Sequence, residues 1–369
     1  MVACVTGATG FVGAHVVRLL AQQGHDVRAT YRSPRRLERL GDAEVETVKA
    51  DVLDRAAVRR AVRGADVLFH TAGYVAARPI DRVWKVNALA PRIAVEAAAA
   101  EGVGRVVLTS TAGAIGRAPD GEVADERMVY RHEGPGLVYS DAKHEGEAEA
   151  LAAGARLGVE VVAVNPAYVL GVPVNRSQPG ETSTRTVGNY LLGRLPAVVD
   201  GSTNLVDVDD VAAGHLLAAE RGKPGERYVL GGYNVTWVDF VDRIADIAGV
   251  HHPLFVLPPE VAKAARVQLE LGLPSPLAPD AFVLMAQNWR YSSRKARSEL
   301  GYRARPLEQT LRNTVEWYQE LIRAGAMRGR GASPLVLASV GVRVAERLGL
   351  ARALKLAEPY VGRRLVAGS

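Results

Sequence analysis

A tyrosine and a lysine four residues apart open the segment Tyr139-Ser140-Asp141-Ala142-Lys143, just ahead of a helix-like stretch. On a helix that spacing sets both side chains on one face, a turn apart. A free phenol titrates near pH 10, so bringing it toward neutrality takes about 4 kcal/mol of help. A neighbouring ammonium gives such help by favouring the phenolate. Tyr139 can then donate a proton to a carbonyl oxygen, or take one from an alcohol. With 12 tyrosines in the chain, a Tyr-x-x-x-Lys match alone is a weak signal. Its position after the strand-like run Arg105–Ser110 gives it weight. That run ends in Thr109-Ser110-Thr111-Ala112-Gly113. A hydroxyl at its tip can stabilise charge developing on a substrate oxygen, or merely cap the next turn.

The second chemical motif is Thr6-Gly7-Ala8-Thr9-Gly10-Phe11-Val12-Gly13, which follows a strand-like run and opens a helix-like one. Gly7 permits the tight turn, Gly10 lets the backbone approach a pyrophosphate, and Gly13 lets the helix pack close to the sheet. The helix start then offers unpaired N–H groups to phosphates. The second strand ends Thr30-Tyr31-Arg32, where an acidic residue would bind a ribose 2′-hydroxyl. Arg32 instead matches a 2′-phosphate, so NADP(H) is the expected cofactor and NAD(H) the alternative. Arg35 and Arg36 read as a solvated helix start. Asp51-Val52, after the third strand, stands where a carboxylate and a backbone N–H meet an adenine ring. With such a cofactor, Lys143 also holds the nicotinamide ribose hydroxyls.

The elements that must position these groups alternate along the first half of the chain. Strand-like runs are Val2–Thr6, Asp26–Tyr31, Glu44–Lys49, Val67–Thr71, Arg105–Ser110 and Val159–Asn165. Helix-like stretches between them are Gly13–Gln23, Ala56–Arg63, Val83–Glu101 and Ser140–Leu157. The alternation predicts an α/β fold with a doubly wound parallel sheet. After Pro166 the pattern loosens, with helices expected at Phe240–Ala248, Pro258–Leu271 and Leu307–Arg323. We therefore expect a nucleotide-binding domain over 1–165. A smaller, mainly helical substrate-binding part follows over 166–327, interleaved with late strands of the sheet, and then a basic helical tail over 328–369.

The net charge of +6 is located in that tail, which carries eight basic and two acidic residues from Arg328 onward. The body is close to neutral and gives no electrostatic case for nucleic acid. The tail's stretch 335–358 suits a helix packed on the rest of the protein or a partner, or else touching an anionic membrane surface. No apolar run reaches the roughly 18 residues of a membrane span, and no secretory leader is expected ahead of the first strand. The single cysteine, Cys4, reads as core, and its isolation favours a reducing cytoplasm. The histidines show no metal-ligand spacing.

Together these motifs resemble the extended short-chain dehydrogenase/reductase family, with its Rossmann fold. The likeness is greatest to dihydroflavonol-reductase-like members and to the hopanoid-associated sugar epimerase branch of the epimerase/dehydratase group. It runs over about residues 2–325, through His70-Thr71-Ala72-Gly73, Asn87, Asn165-Pro166-Ala167-Tyr168-Val169-Leu170-Gly171, Asn204 to Ala212, Gly225-Glu226-Arg227-Tyr228 and Glu299-Leu300-Gly301-Tyr302. It implies Tyr139 and Lys143 in catalysis, with Thr111 where the family usually has serine and Ser110 beside it. It implies cofactor contacts from Gly7, Thr9, Gly10, Phe11, Val12, Gly13, Arg32, Asp51, Val52, Thr71, Ala72, Gly73, Asn87, Thr109, Tyr139, Lys143, Pro166, Ala167, Tyr168 and Val169. Ala72 and Gly73 would line the adenosine side, Asn87 would hold structure or water, and Pro166 to Val169 would support the nicotinamide. A homodimer is also implied.

One departure bears on function. Nucleotide-sugar epimerases of this group carry an Arg-Asp pair where this chain reads Thr203-Asn204, and their arginine binds the sugar nucleotide's diphosphate. The substrate pocket should draw on Ala114, Ile115, Val129, Tyr130, Tyr168 and Leu170, which suits an apolar or aromatic small molecule. The leading expectation is an NADP(H)-dependent oxidoreductase interconverting a ketone or aldehyde and an alcohol. The alternatives are a nucleotide-sugar epimerase/dehydratase, a hydroxysteroid dehydrogenase and a non-catalytic NADP sensor.

Overall fold

The computed structural model describes residues 1–327 apart from 135, 181–182, 196 and 274–278. The basic tail expected over 328–369, and the helix within it, lie outside the described residues. The first six strands are β1 (Val2–Thr6), β2 (Asp26–Tyr31), β3 (Glu46–Lys49), β4 (Val67–His70), β5 (Arg105–Thr109) and β6 (Glu160–Pro166). Short strands β7 (Tyr168–Leu170), β8 (Ala197–Val199) and β9 (Ser202–Asp207) follow. The chain then makes β10 (Arg227–Leu230), β11 (Tyr233–Thr236) and β12 (Phe255–Leu257). Seven of these form one sheet in the order β10-β6-β5-β4-β1-β2-β3, every pair parallel. Chain order reverses between β1 and β4, the switch point where the carboxyl ends of strands leave a crevice for ligands.

Parallel strands cannot be joined by hairpins, so helices cross over and cover both faces. Those of the main sheet are α1 (Phe11–Gln22), α2 (Arg55–Val62), α3 (Ile80–Trp84), α4 (Ala90–Ala100), α5 (Val138–Leu157) and α7 (Val208–Arg221), whereas α6 (Arg185–Leu191) packs in the second core. The period-two alternation of the strands sorts the core. Ala3, Val5, Phe69, Val162 and Val164 pack with α1 and α7. Cys4, Leu68, Val106, Leu108 and Val161 pack with α2, α4 and α5 on the other face. Burial pushes the Cys4 thiol up to about 12, which leaves it an inert core group.

Of the remaining helices, α8 (Trp237–Ala248), α10 (Pro279–Met285) and α11 (Leu307–Arg323) build the second core, while α9 (Val261–Glu270) buries Ala262 and Ala265 in a smaller cluster with Ile115, Val283 and Trp289. Trp237, Phe240, Trp317 and Tyr318 anchor the second core beside Val198 and Val199. Small sheets β11-β9-β7 and β12-β8 support this part. β10 returns to the main sheet as its edge strand.

Strand and helix ends differ from the sequence reading by up to three residues, as at the starts of α8 and α9, and one helix has an internal irregularity. The expected helix Val83–Glu101 is present as a continuous helical run over 80–100, with a π-helical turn at Lys85–Leu89 between α3 and α4. Pro91 accounts for this: it has no N–H to donate, and in a continuous α-helix its ring would strike the carbonyl of Asn87. Widening the turn relieves that clash.

Candidate active site

Four strand ends build the site. β1 runs into the glycine turn, where Gly7 holds φ +72° and a β-carbon on it would stand 2.5 Å from Ala72 Cα. Only glycine fits there. A β-carbon on Gly13 would stand 2.3 Å from Gly7 O, so α1 begins hard against the turn. No side chain caps the N-terminus of α1, and Gly10 is its N-cap. Thr9 is buried beside the turn, while Phe11, Val12 and Gly13 form the first turn of α1 itself, two residues ahead of the predicted start. This bare helix start and glycine cradle fit a dinucleotide's diphosphate.

Beside the glycine turn, Thr71 donates to the Thr6 carbonyl at 2.7 Å, binding the β4 end to the β1 end. Asp51 accepts from the Leu53 N–H at 3.0 Å and, with Val52, stands half-buried after β3. Arg32 is exposed at the end of β2 and makes no ion pair with the described residues.

Past β5 the chain makes a short 3₁₀ turn at Ala112–Ala114, capped by the Thr111 hydroxyl, which accepts from the Gly113 N–H at 3.4 Å. The capping role weighed for this residue is therefore present, and the hydroxyl also reaches the Pro166 carbonyl at 3.5 Å. Ser110 is buried, and its hydroxyl has no partner among the described residues. A β-carbon on Gly113 would stand 2.8 Å from Ser140 Oγ, so this turn abuts the first turn of α5, where Tyr139 sits. One turn on, Lys143 is buried and donates from Nζ to the Thr109 carbonyl at 2.8 Å. A β-carbon on Gly73 would stand 3.5 Å from that Nζ and 3.4 Å from Asn87 Oδ1. Asn87 holds the chain after β4 by accepting from Tyr74 N–H and donating to its carbonyl. Tyr139, Lys143, Thr109, Ser110, Thr111, Gly73 and Asn87 thus converge beside the glycine turn.

The charges differ from the sequence expectation in one respect. Burial pushes the Tyr139 phenol well above its ordinary value, and no neighbouring charge offsets this. The spacing of the pair predicts that Lys143 pulls the phenol down. Burial instead pulls its own ammonium down to about 8, with the Glu147 charge working in the other direction. Desolvation disfavours the charged form of both groups.

The residues named for a substrate pocket divide. Ala114, Ile115 and Leu170 are fully buried. Tyr130 stacks on His144 at 3.9 Å and donates to Asp141 at 2.6 Å. Tyr168 bonds Thr186 and meets Trp237 edge-on, so both tyrosine hydroxyls already have partners. Pro166 is buried, with Ala167 and Val169 half-buried beside it. Val129 is 81% exposed, and Val75, Leu271 and Leu273 are also exposed. Arg78, in the segment after β4, donates to the Leu269 carbonyl, which brings α9 over this end of the sheet. Of the six positions, only Val129 is widely exposed. A cavity of about 700 Å³ lies behind α5, lined by charged groups including Glu126, Glu147, Arg227 and Lys295. It does not include Tyr139, Lys143 or Thr111.

Three groups had no assigned role in the sequence reading. Asp141 accepts from Tyr130 Oη and from the Glu133 and Gly134 N–H groups, so it ties the segment ahead of α5 to the helix. Glu147 and Arg227 are paired beneath the site. The i, i+4 spacing of Lys143 and Glu147 is a readable signal for Glu147, whereas nothing local signals Arg227. The acidic run around Asp209 is structural: Asp209 meets His15 and Arg18, and Arg305 meets Asp210. Among the described residues no group of three or more His, Cys, Asp or Glu could hold a metal ion. No described helix is long and apolar enough to cross a membrane.

A nucleotide cradle at the switch point of a doubly wound sheet, with a Tyr-Lys pair across the crevice, defines an extended short-chain dehydrogenase/reductase. The profile of the NAD dependent epimerase/dehydratase family matches residues 3–231, and the chain belongs to that family. A putative dihydroflavonol 4-reductase of Synechocystis is 34% identical over 327 residues, covering 85% of this chain and 94% of the relative. Cinnamoyl-CoA reductase 1 of Oryza sativa is 32% identical, covering 86% and 90%. Among solved structures, a nucleoside-diphosphate-sugar epimerase from Pseudomonas aeruginosa superposes with a TM-score of 0.72 at 28% identity, covering 89% of this chain and 99% of that one. The chain is an NAD(P)-dependent oxidoreductase.

Proposed function

We propose that this protein is an NADP(H)-dependent reductase interconverting a ketone or aldehyde and an alcohol on an apolar or aromatic small molecule. The observation that carries the reading is the convergence of Tyr139, Lys143 and the Ser110–Thr111 hydroxyls on the crevice beside the glycine turn. The nicotinamide of the bound cofactor supplies the hydride for reduction, or takes it for oxidation. Gly7, Gly10 and the first turn of α1 would hold the diphosphate, Asp51 and Val52 the adenine, and Lys143 the ribose hydroxyls near the reacting ring. Arg32 would pair with the 2′-phosphate that distinguishes NADP(H), and its exposure without an ion-pair partner suits that task. The Thr111 or Ser110 hydroxyl would bind the substrate oxygen, and Tyr139 would give it a proton. Reduction needs a protonated phenol at the start, and the burial of Tyr139 favours that state.

The names of two relatives, a putative dihydroflavonol 4-reductase and a cinnamoyl-CoA reductase, support an aromatic carbonyl substrate. The likeness to a nucleoside-diphosphate-sugar epimerase keeps one competing reading. Against it, Thr203 and Asn204 are buried, and Asn204 is spent on Asn234, the Tyr291 carbonyl and the Gly232 N–H. No cation stands at that position for a sugar nucleotide's diphosphate.

The test is to denature the purified protein, analyse any released nucleotide, and titrate fresh protein with NADPH and NADH by fluorescence. Protein purified empty that binds NADPH preferentially, and oxidises it with aromatic aldehydes or ketones, supports the reductase. Stoichiometric NAD released on denaturation, with no response to NADPH, would move the epimerase to first place.

A further inference from the structure

Beneath the site lies a buried carboxylate that the proposed reaction does not use. Glu147 sits on α5 four residues after Lys143, and its side chain is 3% exposed. Burying a charge so completely is costly unless partners compensate it. Glu147 Oε2 accepts from Asn165 Nδ2 at 2.6 Å, and Oε1 accepts from Arg227 Nη1 at 3.3 Å. The same Asn165 Nδ2 donates to the Thr111 carbonyl at 3.1 Å. Arg227 in turn donates to the carbonyls of Glu126 and Met128, in the segment that leads from the Thr111 turn to α5. One carboxylate thereby ties together the end of β6, the start of β10, the backbone of Thr111 and the helix that carries Tyr139 and Lys143.

We propose that Glu147 is a positioning residue: through Asn165 it fixes the Thr111 backbone, and it sets a negative charge one helical turn from Lys143. This rests on the reductase reading for its consequence in catalysis, but the electrostatic part concerns the chain alone. The groups facing Lys143 are few. His70 at the end of β4 is buried and neutral, its imidazole pulled down to about 3. Asn87 and the Thr109 carbonyl are uncharged, and Tyr139 is protonated. Asp141 is turned to Tyr130 and the 133–134 N–H groups. Glu147 is the charge that opposes burial at Lys143. Arg227 is the cation facing Glu147 from β10.

The sign follows. Removing the Glu147 charge lowers the Lys143 midpoint further, so activity that needs the ammonium is lost at a lower pH. We would follow the lysine titration directly, by NMR of protein labelled at lysine and free of nucleotide, with Lys143 assigned from a Lys143→Met variant. Glu147→Gln should lower the midpoint by about one pH unit or more, and Glu147→Asp should restore it toward the wild-type value. The alkaline limb of kcat/KM for carbonyl reduction should move with it. A merely structural role would lower activity and stability without moving either. Because Glu147→Gln leaves Arg227 uncompensated, the double variant Glu147→Gln/Arg227→Met provides a neutral pair if the single variant does not fold. An unmoved Lys143 midpoint in whichever of these folds overturns the proposal. A shifted midpoint in a protein that reduces no carbonyl upholds the role of Glu147 and removes the reductase reading instead.

Discussion

At the scale of single residues, the proposed chemistry depends on a phenol that burial keeps protonated and a lysine that burial makes easy to discharge. Tyr139→Phe removes the proton donor and leaves the ring, so kcat should fall by about a hundredfold to ten-thousandfold while NADPH binding is retained. Loss of nucleotide binding in that variant would instead assign Tyr139 to the fold. At the other end of the cofactor, Arg32→Ser deletes a charged hydrogen-bond donor worth about 1.5–3 kcal/mol. The NADPH Kd should rise about tenfold or more, with NADH affinity unchanged. Equal weakening of both nucleotides would take the 2′-phosphate away from Arg32.

At the scale of elements, helix α5 owes its position to what it can approach. A β-carbon on Gly146 would stand 2.0 Å from the Asn87 carbonyl, so α5 lies directly on the π-helical turn. That contact brings Lys143 and Asn87 to the same side of the crevice. Gly146→Ala sets two effects against each other. Alanine favours the helix by about 1 kcal/mol, whereas overpacking against backbone costs about 1–3 kcal/mol. We expect overpacking to win because the opposing atom is a carbonyl oxygen that cannot rotate away. Urea unfolding should show a lower midpoint, with kcat reduced as Asn87 and Lys143 are pushed apart. A midpoint above wild type would mean that the two elements separate easily.

For the whole molecule, two buried neutral histidines govern how the fold responds to acid. His215 sits between the Thr109 hydroxyl and the Val211 carbonyl, its midpoint pulled down by burial to about 4. His70 is held at about 3, also by burial and then by the Lys143 charge. In the unfolded chain both take up a proton near pH 6.5. The unfolded state therefore binds more protons between about pH 6.5 and 4, and stability falls as pH drops through that window. The slope approaches about 1.4 kcal/mol per pH unit for each histidine. Urea denaturation from pH 7 to 4.5 measures it, and His215→Gln should remove one histidine's share. A flat profile across the window would mean that the histidines charge without unfolding the protein. Asp209 acts lower: burial pushes its carboxyl up, but the hydrogen bond with His15 and the charges of Arg18 and Arg305 outweigh burial and hold it at about 2, so its contribution is lost only as pH falls toward that value.

The amino-acid sequence alone determined the elements and the chemistry they carry. Period-two and helical patterns are local, so the alternating strands and helices of the first half were legible to within about three residues. The glycine turn was legible because only glycine suits its backbone, and the Tyr139–Lys143 pair because four residues make a helical turn. Pro91 was visible as well, but how a helix yields to a proline depends on what packs against it, and α5 decides that here. Tertiary structure decided the rest because burial and long-range partners have no local signature. The sign of the Tyr139 shift follows from desolvation, which no spacing records. The meeting of Glu147 with Asn165 and Arg227 joins residues 18 and 80 positions apart. The core placement of Ala114, Ile115 and Leu170 depends on how the two halves of the protein close over the strand ends, since an apolar side chain suits a pocket wall and a packed core equally well.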